Sequence, residues 1–429
     1  MIDRRYMAGE LFFRKSAVHT ISERVGSPGS STGSFGASAE EKYSQPKDLP
    51  MAKKKTVLKK EIKPKSILDK PAHAFMERYL NNASPTGFES SGQRIWLDYL
   101  KPYIDTHFTD NYGTAVGVIN PTAKYKVVIE AHADEISWFV HYITKDGFIY
   151  VRRNGGSDHT IAPSMRVNIH TDPGSGTGTG VVKAVFGWPA IHVRTGKNDP
   201  VPSLENIFLD CGCSTKEEVE KLGVHVGCVV TFEDEFMVLN ERHYVGRALD
   251  NRMGGFMIAQ VARLLKENKV KLPFGLYITN SVQEEVGLRG AEMIVERIKP
   301  DLAIVTDVTH DTQTPLMNKI QSGDVACGGG PVLSYGPAVH NTLLKLIITA
   351  ADKEKIKFQR AAVSRATGTD TDAFAYGAAG VPSALISLPL RYMHTTVESV
   401  HRDDVENVIK LIYASLRALK GGEDMRYIK

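Results

Sequence analysis

Five short polar motifs in this chain contain the residue types that bind divalent metal ions. They are His132-Ala-Asp134, Asp250-Asn-Arg, Glu284-Glu285, Asp307 and His394. Imidazole nitrogens and carboxylate oxygens suit Zn²⁺, Co²⁺ or Mn²⁺, and one carboxylate can be shared by two such ions. The ordered set, more than any single motif, therefore predicts a site for two metal ions.

Short apolar runs that are typical of buried strands precede four of the motifs. His132 follows KVVIEA, Glu284 follows LYITN, Asp307 follows LAIVT, and His394 lies a few residues after ALISL. In open α/β sheets, ligands gather at the carboxyl ends of the strands. We therefore expect these side chains to converge on one crevice.

The Glu284-Glu285 pair could divide the work of a metal-assisted hydrolysis. Neighbouring residues in an extended chain point in different directions, so one glutamate could bind a metal while the other takes a proton from water. Each motif also has a structural interpretation, such as a solvated surface pair or, for Asp250, a helix cap. All of these interpretations would have to hold together at four strand ends, which favours the functional one.

Composition excludes several classes of protein. The 429 residues are 42% hydrophobic and 24% charged, as in ordinary globular proteins. We expect no membrane partner, because no apolar run of about 18 residues occurs. Four cysteines fit a reducing compartment and predict a cytoplasmic protein. Eight lysines between residues 51 and 70 account for the net charge of +4, so we expect no nucleic-acid partner.

The pattern divides the chain into four segments. Residues 1–68 are Ser/Gly-rich and then Lys-rich, and are either a disordered extension or, in part, a spurious one that precedes a true start at Met51. Residues 69–137 and 246–429 alternate strands and helices and predict one catalytic α/β domain. Residues 138–245 predict an inserted small β-barrel. The predicted helices are 72–81, 91–100, 215–222, 250–268, 288–298, 342–353 and 405–419, and the predicted strands are 126–131, 148–152, 166–169, 180–185, 190–193, 207–209, 229–232, 274–280, 302–306 and 383–388.

Several longer stretches resemble the tetrahedral-type dinuclear metallo-aminopeptidases, a family that also carries the names glutamyl aminopeptidase, deblocking aminopeptidase and cellulase M. The matching stretches include AHADEISWFV, GRALDNRMGG, NSVQEEVGLRGA and VTDVTHD, and the likeness covers roughly Lys70 to Leu419. The resemblance implies a zinc-peptidase-like α/β sandwich with an inserted small β-barrel domain. It also implies removal of N-terminal residues from short peptide substrates.

The resemblance assigns the metal ligands. It implies two divalent ions per subunit, zinc or cobalt with manganese as a further option. Asp250 would bridge the two ions. His132 and Asp307 would complete one site, and Glu285 and His394 would complete the other.

Further roles come from the same resemblance. Glu284 would be the general base, Asp134 would orient His132, and the Asp250–Asn251 peptide bond would be cis. Asn251 stands where many relatives have aspartate, which we expect to be tolerated. The family commonly forms homo-oligomers through the inserted domain, often of twelve subunits.

Three residues in matching motifs are predicted to bind substrate, namely Arg391, Thr371 and Asp372. Arg391 could hold a substrate carbonyl or carboxylate group through a bidentate contact, or it could form a structural ion pair with Glu398.

Other functions use similar residues. A related di-metal carboxypeptidase, dipeptidase or deacylase would need the same ligands, but these enzymes usually carry an αβ lid where this chain predicts β structure. An endoglucanase needs two carboxylates without metal across a sugar cleft, which the pairing with histidines disfavours. A scaffold without activity is disfavoured because every ligand position and the base are present.

Overall fold

The computed structural model describes residues 66–172, 180–194, 196 and 199–429. The predicted N-terminal extension up to residue 65, with the alternative start at Met51, lies outside the described residues.

One large mixed sheet forms the centre of the fold. Its strand order is β1-β2-β12-β3-β13-β16-β17-β11-β10, with β14 paired to β16 and β15 paired to β14. The four neighbouring strands β12, β3, β13 and β16 are parallel, and the flanking pairs at both ends of this path are antiparallel. The strands are β1 Thr106–Thr109, β2 Ala115–Ile119, β3 Lys126–His132, β10 Met237–Leu239, β11 His243–Gly246, β12 Gly275–Ser281, β13 Leu302–His310, β14 Val332–Tyr335, β15 Gln359–Ala362, β16 Ser383–Arg391 and β17 Glu398–His401.

Helices cover this sheet in two groups. In one group α4 packs against α1, α2, α9 and β3, and α7 packs against α9; in the other, α5 packs against α8. Buried β-branched residues such as Val127, Val128 and Ile129 favour the extended conformation of β3. The helices are α1 Lys70–Asn81, α2 Ser90–Leu100, α3 Lys216–Lys221, α4 Leu249–Glu267, α5 Arg289–Ile298, α6 Lys319–Ser322, α7 Asn341–Glu354, α8 Asp370–Tyr376 and α9 Arg402–Ala418.

A closed antiparallel barrel is built between β3 and β10. Its strand order is β4-β5-β8-β7-β6-β9, and its own core includes Trp138, Phe186 and Leu209. Closure leaves none of these strands as an open edge. The strands are β4 Ser137–Ile143, β5 Ile149–Asn154, β6 Arg166–His170, β7 Val181–Gly187, β8 Phe208–Asp210 and β9 Val229–Phe232.

The predicted fold class, an α/β sandwich with an inserted β-barrel, is confirmed. Two local predictions differ from the structure. Residues 190–193 are predicted as a strand, but Ile191–Val193 form a 3₁₀ turn. Strand β13 continues to His310 and so contains Asp307, which is predicted to follow it. Strand β10 and most of β11 lie in the segment 138–245 and pair with the large sheet. The division into domains remains a prediction.

No helix among the described residues is long and apolar enough to cross a membrane.

Candidate active site

The predicted ligands come together at one edge of the large sheet. His132 is the last residue of β3, and Glu284-Glu285 follow the end of the adjacent β12. Asp307 lies in β13, and His394 follows β16, so four neighbouring parallel strands contribute. Their carboxyl ends meet at the same edge, as in other open α/β sheets.

Asp250 reaches this edge from the start of a helix and not from the end of a strand. It stands at the start of α4 with a non-helical backbone (φ −76°, ψ 113°). The Asp250–Asn251 peptide bond is cis, as predicted. Gly254 lets α4 approach β3 closely, because a Cβ atom there would lie 2.8 Å from Cβ of Ala131. The start of α4 therefore lies directly beside the end of β3.

The side chains form two adjoining groups that share Asp250. In the first group His132 Nε2 lies 3.2 Å from Asp250 Oδ1 and 3.9 Å from Asp307 Oδ1. In the second, His394 Nε2 lies 3.4 Å from Asp250 Oδ2 and 3.4 Å from Glu285 Oε2. Each oxygen of Asp250 thus faces a different imidazole ring.

Glu284 lies beside the first group, with Oε2 3.8 Å from His132 Nε2. The pair Glu284-Glu285 begins a 3₁₀ turn, Glu284–Val286, and is not extended as the sequence argument assumed. The two side chains still face different partners, because Glu285 lies against His394.

The donor set fits divalent metal ions. Three overlapping groups each place their ligand atoms within 4.8 Å of one another: His132, Asp250 and Asp307; His132, Glu284 and Glu285; and Asp250, Glu285 and His394. Burial, opposed by His132 and assisted by the nearby carboxylates of Asp307, Asp370 and Glu285, raises the pKa of Glu284 to about 10. Acidic groups held this close in a buried site are stabilised by a bound cation, and oxygen and imidazole ligands suit zinc and its neighbours.

Asp134 holds the glutamate turn as well as facing His132. Its Oδ1 lies 3.4 Å from His132 Nδ1. Its carboxylate also accepts the backbone N–H groups of Glu284 (3.0 Å) and Glu285 (3.2 Å) and the hydroxyl group of Thr86 (2.9 Å). Sequence reasoning found the first contact and missed the others, because they join segments far apart in the chain.

The barrel also contributes to the site. The segment after β5 passes so close that a Cβ atom on Gly156 would lie 2.5 Å from His394 Nδ1. A small cleft beside Asp250, Glu285 and His394 has Phe232 of β9 in its wall. The Gly155-Gly156 pair was visible in the sequence, but nothing local indicated which residue it approaches.

The three predicted substrate-binding residues make hydrogen bonds or ion pairs within the protein. Arg391 donates from Nε to Asp311 Oδ2 at 2.6 Å, so the alternative prediction of an ion pair with Glu398 is wrong. Thr371 is fully buried and its hydroxyl group pairs with that of Thr369. Asp372 accepts the backbone N–H groups of Thr367 and Gly368. Their roles in substrate binding remain predictions.

Comparison with known proteins identifies the family. The model of the M42 glutamyl aminopeptidase family matches residues 113–411. A lysyl aminopeptidase of Pyrococcus furiosus is 32% identical over 348 residues, which are 80% of this chain and 96% of the relative.

Solved structures of aminopeptidases also resemble this chain. A TET aminopeptidase from a marine sediment archaeon of the Thaumarchaeota has a TM-score of 0.76 at 27% identity, covering 82% of this chain and 98% of that one. The TET1 peptidase of Pyrococcus horikoshii has a TM-score of 0.70 at 25% identity, covering 81% and 99%. With the ligand geometry above, these matches show that the chain belongs to the M42 glutamyl aminopeptidase family and is a metal-dependent aminopeptidase, a hydrolase of peptide bonds.

Proposed function

We propose that the site holds two divalent metal ions that share Asp250. His132 and Asp307 complete one ion's ligands, and Glu285 and His394 complete the other's. The observation that carries this proposal is the position of the two Asp250 oxygens, 3.2 Å from His132 Nε2 and 3.4 Å from His394 Nε2. A carboxylate whose oxygens face two separate ligand groups is suited to bridge two cations.

The proposed reaction removes the N-terminal residue of a short peptide. When bound, the two ions would acidify a water molecule and polarise the scissile carbonyl group. Glu284 takes the proton of the attacking water and returns it to the leaving amine. Glu284 suits this role because its side chain is only 10% exposed and its Oε2 lies 3.8 Å from His132 Nε2, beside the first ligand group. Burial raises its pKa in the metal-free site, and a nearby cation would favour the ionised form, which is the form that accepts a proton.

Asp134 positions the base in this proposal. By accepting the N–H groups of both glutamates, it fixes the turn from which Glu284 and Glu285 project. Its contact with His132 Nδ1 leaves Nε2 directed at Asp250. The buried carboxylate of Asp134 thus fixes the proposed ligand His132 and the proposed base Glu284 relative to each other.

Zinc and cobalt are the proposed ions, with manganese as a further option, because the ligands mix imidazole with carboxylate. Arg391, Thr371 and Asp372 stay as proposed substrate contacts. Of these, Arg391 supports the proposal best: its side chain is 30% exposed, and its pairing with Asp311 uses Nε.

We also propose a homo-oligomer of twelve subunits, formed through the inserted segment 138–245. Exposed apolar side chains on the barrel segment support this, among them Ile191, Val193 and Val201 at 69%, 70% and 75% exposure. The related Pyrococcus horikoshii TET1 peptidase can assemble into a tetrahedron or a large octahedral shell. Free thiols at all four cysteines support a cytoplasmic location, since that compartment is reducing.

Metal analysis and a substrate panel test the proposed function together. We expect two ions per chain in the purified protein, loss of activity on chelation, and recovery with Zn²⁺ or Co²⁺. Peptides with a free amino terminus should be cleaved and acetylated copies of them should not. Cleavage from the carboxyl end, removal of an acyl group or hydrolysis of cellulose would instead support the alternative enzymes. Activity that survives complete chelation would contradict the proposal.

A further inference from the structure

Glu398, the first residue of β17, joins two of the proposed metal ligands through their backbone. Its Oε2 accepts the N–H group of Asp250 at 3.0 Å, and its Oε1 accepts the N–H group of His394 at 2.7 Å. The residue is only 2% exposed. Each carboxylate oxygen therefore holds one ligand segment.

The fold places Glu398 between these segments. Strand β11 pairs with β17 so that Gly246 lies opposite Glu398, and the chain then runs through the left-handed Ala248 (φ 59°) to Asp250. On the other side, β16 leads through the left-handed Tyr392 and His394 (φ 60° and 61°) back to Glu398 itself. Both ligand segments are irregular, so the sheet alone does not fix their backbone.

Only a carboxylate satisfies both donors. Two backbone N–H groups point at one buried side chain, and a carboxylate offers an acceptor oxygen to each. A buried N–H group without an acceptor is costly, so both ligand segments depend on this side chain. A glutamine could accept one N–H group but would turn its own N–H donors towards the other.

We propose that Glu398 is a positioning residue that sets the separation between Asp250 and His394 and thereby the affinity of the ion held by Glu285, His394 and Asp250. This inference rests on the proposed two-ion site. The side-chain atoms concerned, Asp250 Oδ2 and His394 Nε2, lie 3.4 Å apart. Releasing either backbone would let that separation vary. Loss of outer partners of this kind typically costs about 10–100-fold in metal affinity.

The test compares Glu398→Gln with Asp404→Asn in the full-length protein. Asp404 is a matched control, because it is 1% exposed and its two oxygens accept the backbone N–H groups of Gly328 (2.6 Å) and Gly330 (2.7 Å). Calorimetric titration with Zn²⁺ gives the two stepwise affinities, and titration with Co²⁺ gives the visible spectrum of each site. Thermal unfolding of the metal-free proteins reports the structural cost.

For Glu398→Gln we expect the affinity of the site that contains His394 to fall by about 10–100-fold, with a changed Co²⁺ spectrum for that site. The affinity of the other site should fall less, because that site shares only Asp250 with the released segments. Asp404→Asn should lower the unfolding temperature and leave both affinities unchanged. If Glu398→Gln does not fold, the same measurements are made on Glu398→Asp, which keeps a carboxyl group but is too short to reach both donors.

Two results would overturn the inference. One is a folded Glu398 variant with both wild-type affinities and spectra. The other is an equal loss of affinity in Asp404→Asn, which would show a general effect of destabilisation. A wild-type protein that binds fewer than two ions would instead contradict the proposed function itself.

Discussion

Two adjacent glutamates are expected to respond differently to the same substitution. Glu284 lies 3.8 Å from His132 and is proposed as the base, whereas Glu285 lies 3.4 Å from His394 and is proposed as a ligand. Glu284→Gln should keep both ions but lower kcat by about 10²–10⁴-fold, because a general base contributes roughly that much. Steady-state kinetics and elemental analysis of the same sample measure the two effects.

The matched variant is Glu285→Gln, which has the same change of charge one residue away. It should lose bound metal as well as activity, and excess Zn²⁺ should restore part of the activity. A Glu284→Gln protein that turns over at the wild-type rate would show that another group takes the proton.

At the level of single residues, the sequence predicted the candidate ligands that the structure brings together, but not the residues that hold their backbone. His132, Asp250 and Glu285 stand in motifs that can be recognised locally. Glu398 and Glu89 could not be found this way, because their partners are distant backbone groups. Glu89 Oε1, for example, accepts the N–H group of Gln283 at 3.2 Å across 194 residues.

Among the structural elements, the turn after β5 links the barrel to the metal site. A Cβ atom on Gly156 would lie 2.5 Å from Nδ1 and 2.6 Å from Cε1 of His394, and contacts this short require movement. Gly156→Ala should therefore displace the imidazole ring and weaken the binding of one ion by about tenfold or more. Stepwise Zn²⁺ titration with kinetics at saturating metal checks this.

Gly212→Ala is the control within the barrel. A Cβ atom there meets nothing within 4 Å, but the backbone has φ +79°. Alanine at this position should cost about 1 kcal/mol of stability from backbone strain alone and leave metal binding unchanged. Equal metal affinities in the Gly156→Ala variant and the wild type would mean that the turn after β5 moves to relieve the contact and that the His394 ring keeps its position.

Helices and strands with a strong apolar pattern in their own sequence were predicted well. Short strands that depend on pairing with distant strands were not. The apolar periodicity of α4 and α9 and the β-branched run of β3 define these elements from local sequence. Ile191–Val193 has the composition of a strand but forms a 3₁₀ turn in which Ile191 and Val193 are 69% and 70% exposed. Apolar composition alone does not specify a partner strand, and strand preference depends on packing against such neighbours. The short strands β10, β11 and β17 depend on pairing with one another, which no local signal specifies.

For the whole molecule, the barrel is expected to be the contact between subunits. Ile191→Asp combined with Val193→Asp should lower the mass measured by light scattering after size exclusion, because both side chains are about 70% exposed and buried charge opposes association. The unfolding temperature of the dissociated subunit should change little, since neither residue contributes to the barrel core.

Tyr112→Asp provides the comparison outside the barrel. Tyr112 is 63% exposed and lies between β1 and β2 of the large sheet. This variant should keep the wild-type mass. If it dissociates the assembly and the barrel variant does not, the contact lies on the large sheet.

The order in which the ligands occur along the chain has a consequence for the newly made protein. A ribosome-bound chain that has emerged as far as β13 already contains His132, Asp250, both glutamates and Asp307. It still lacks His394 and Glu398, which come after β16. Because synthesis proceeds from the amino end, all of these residues are present together only after the chain has been made beyond Glu398. A ribosome-bound intermediate that stops before β16 therefore lacks one of the ligands proposed for the second ion and the carboxyl group that holds its backbone.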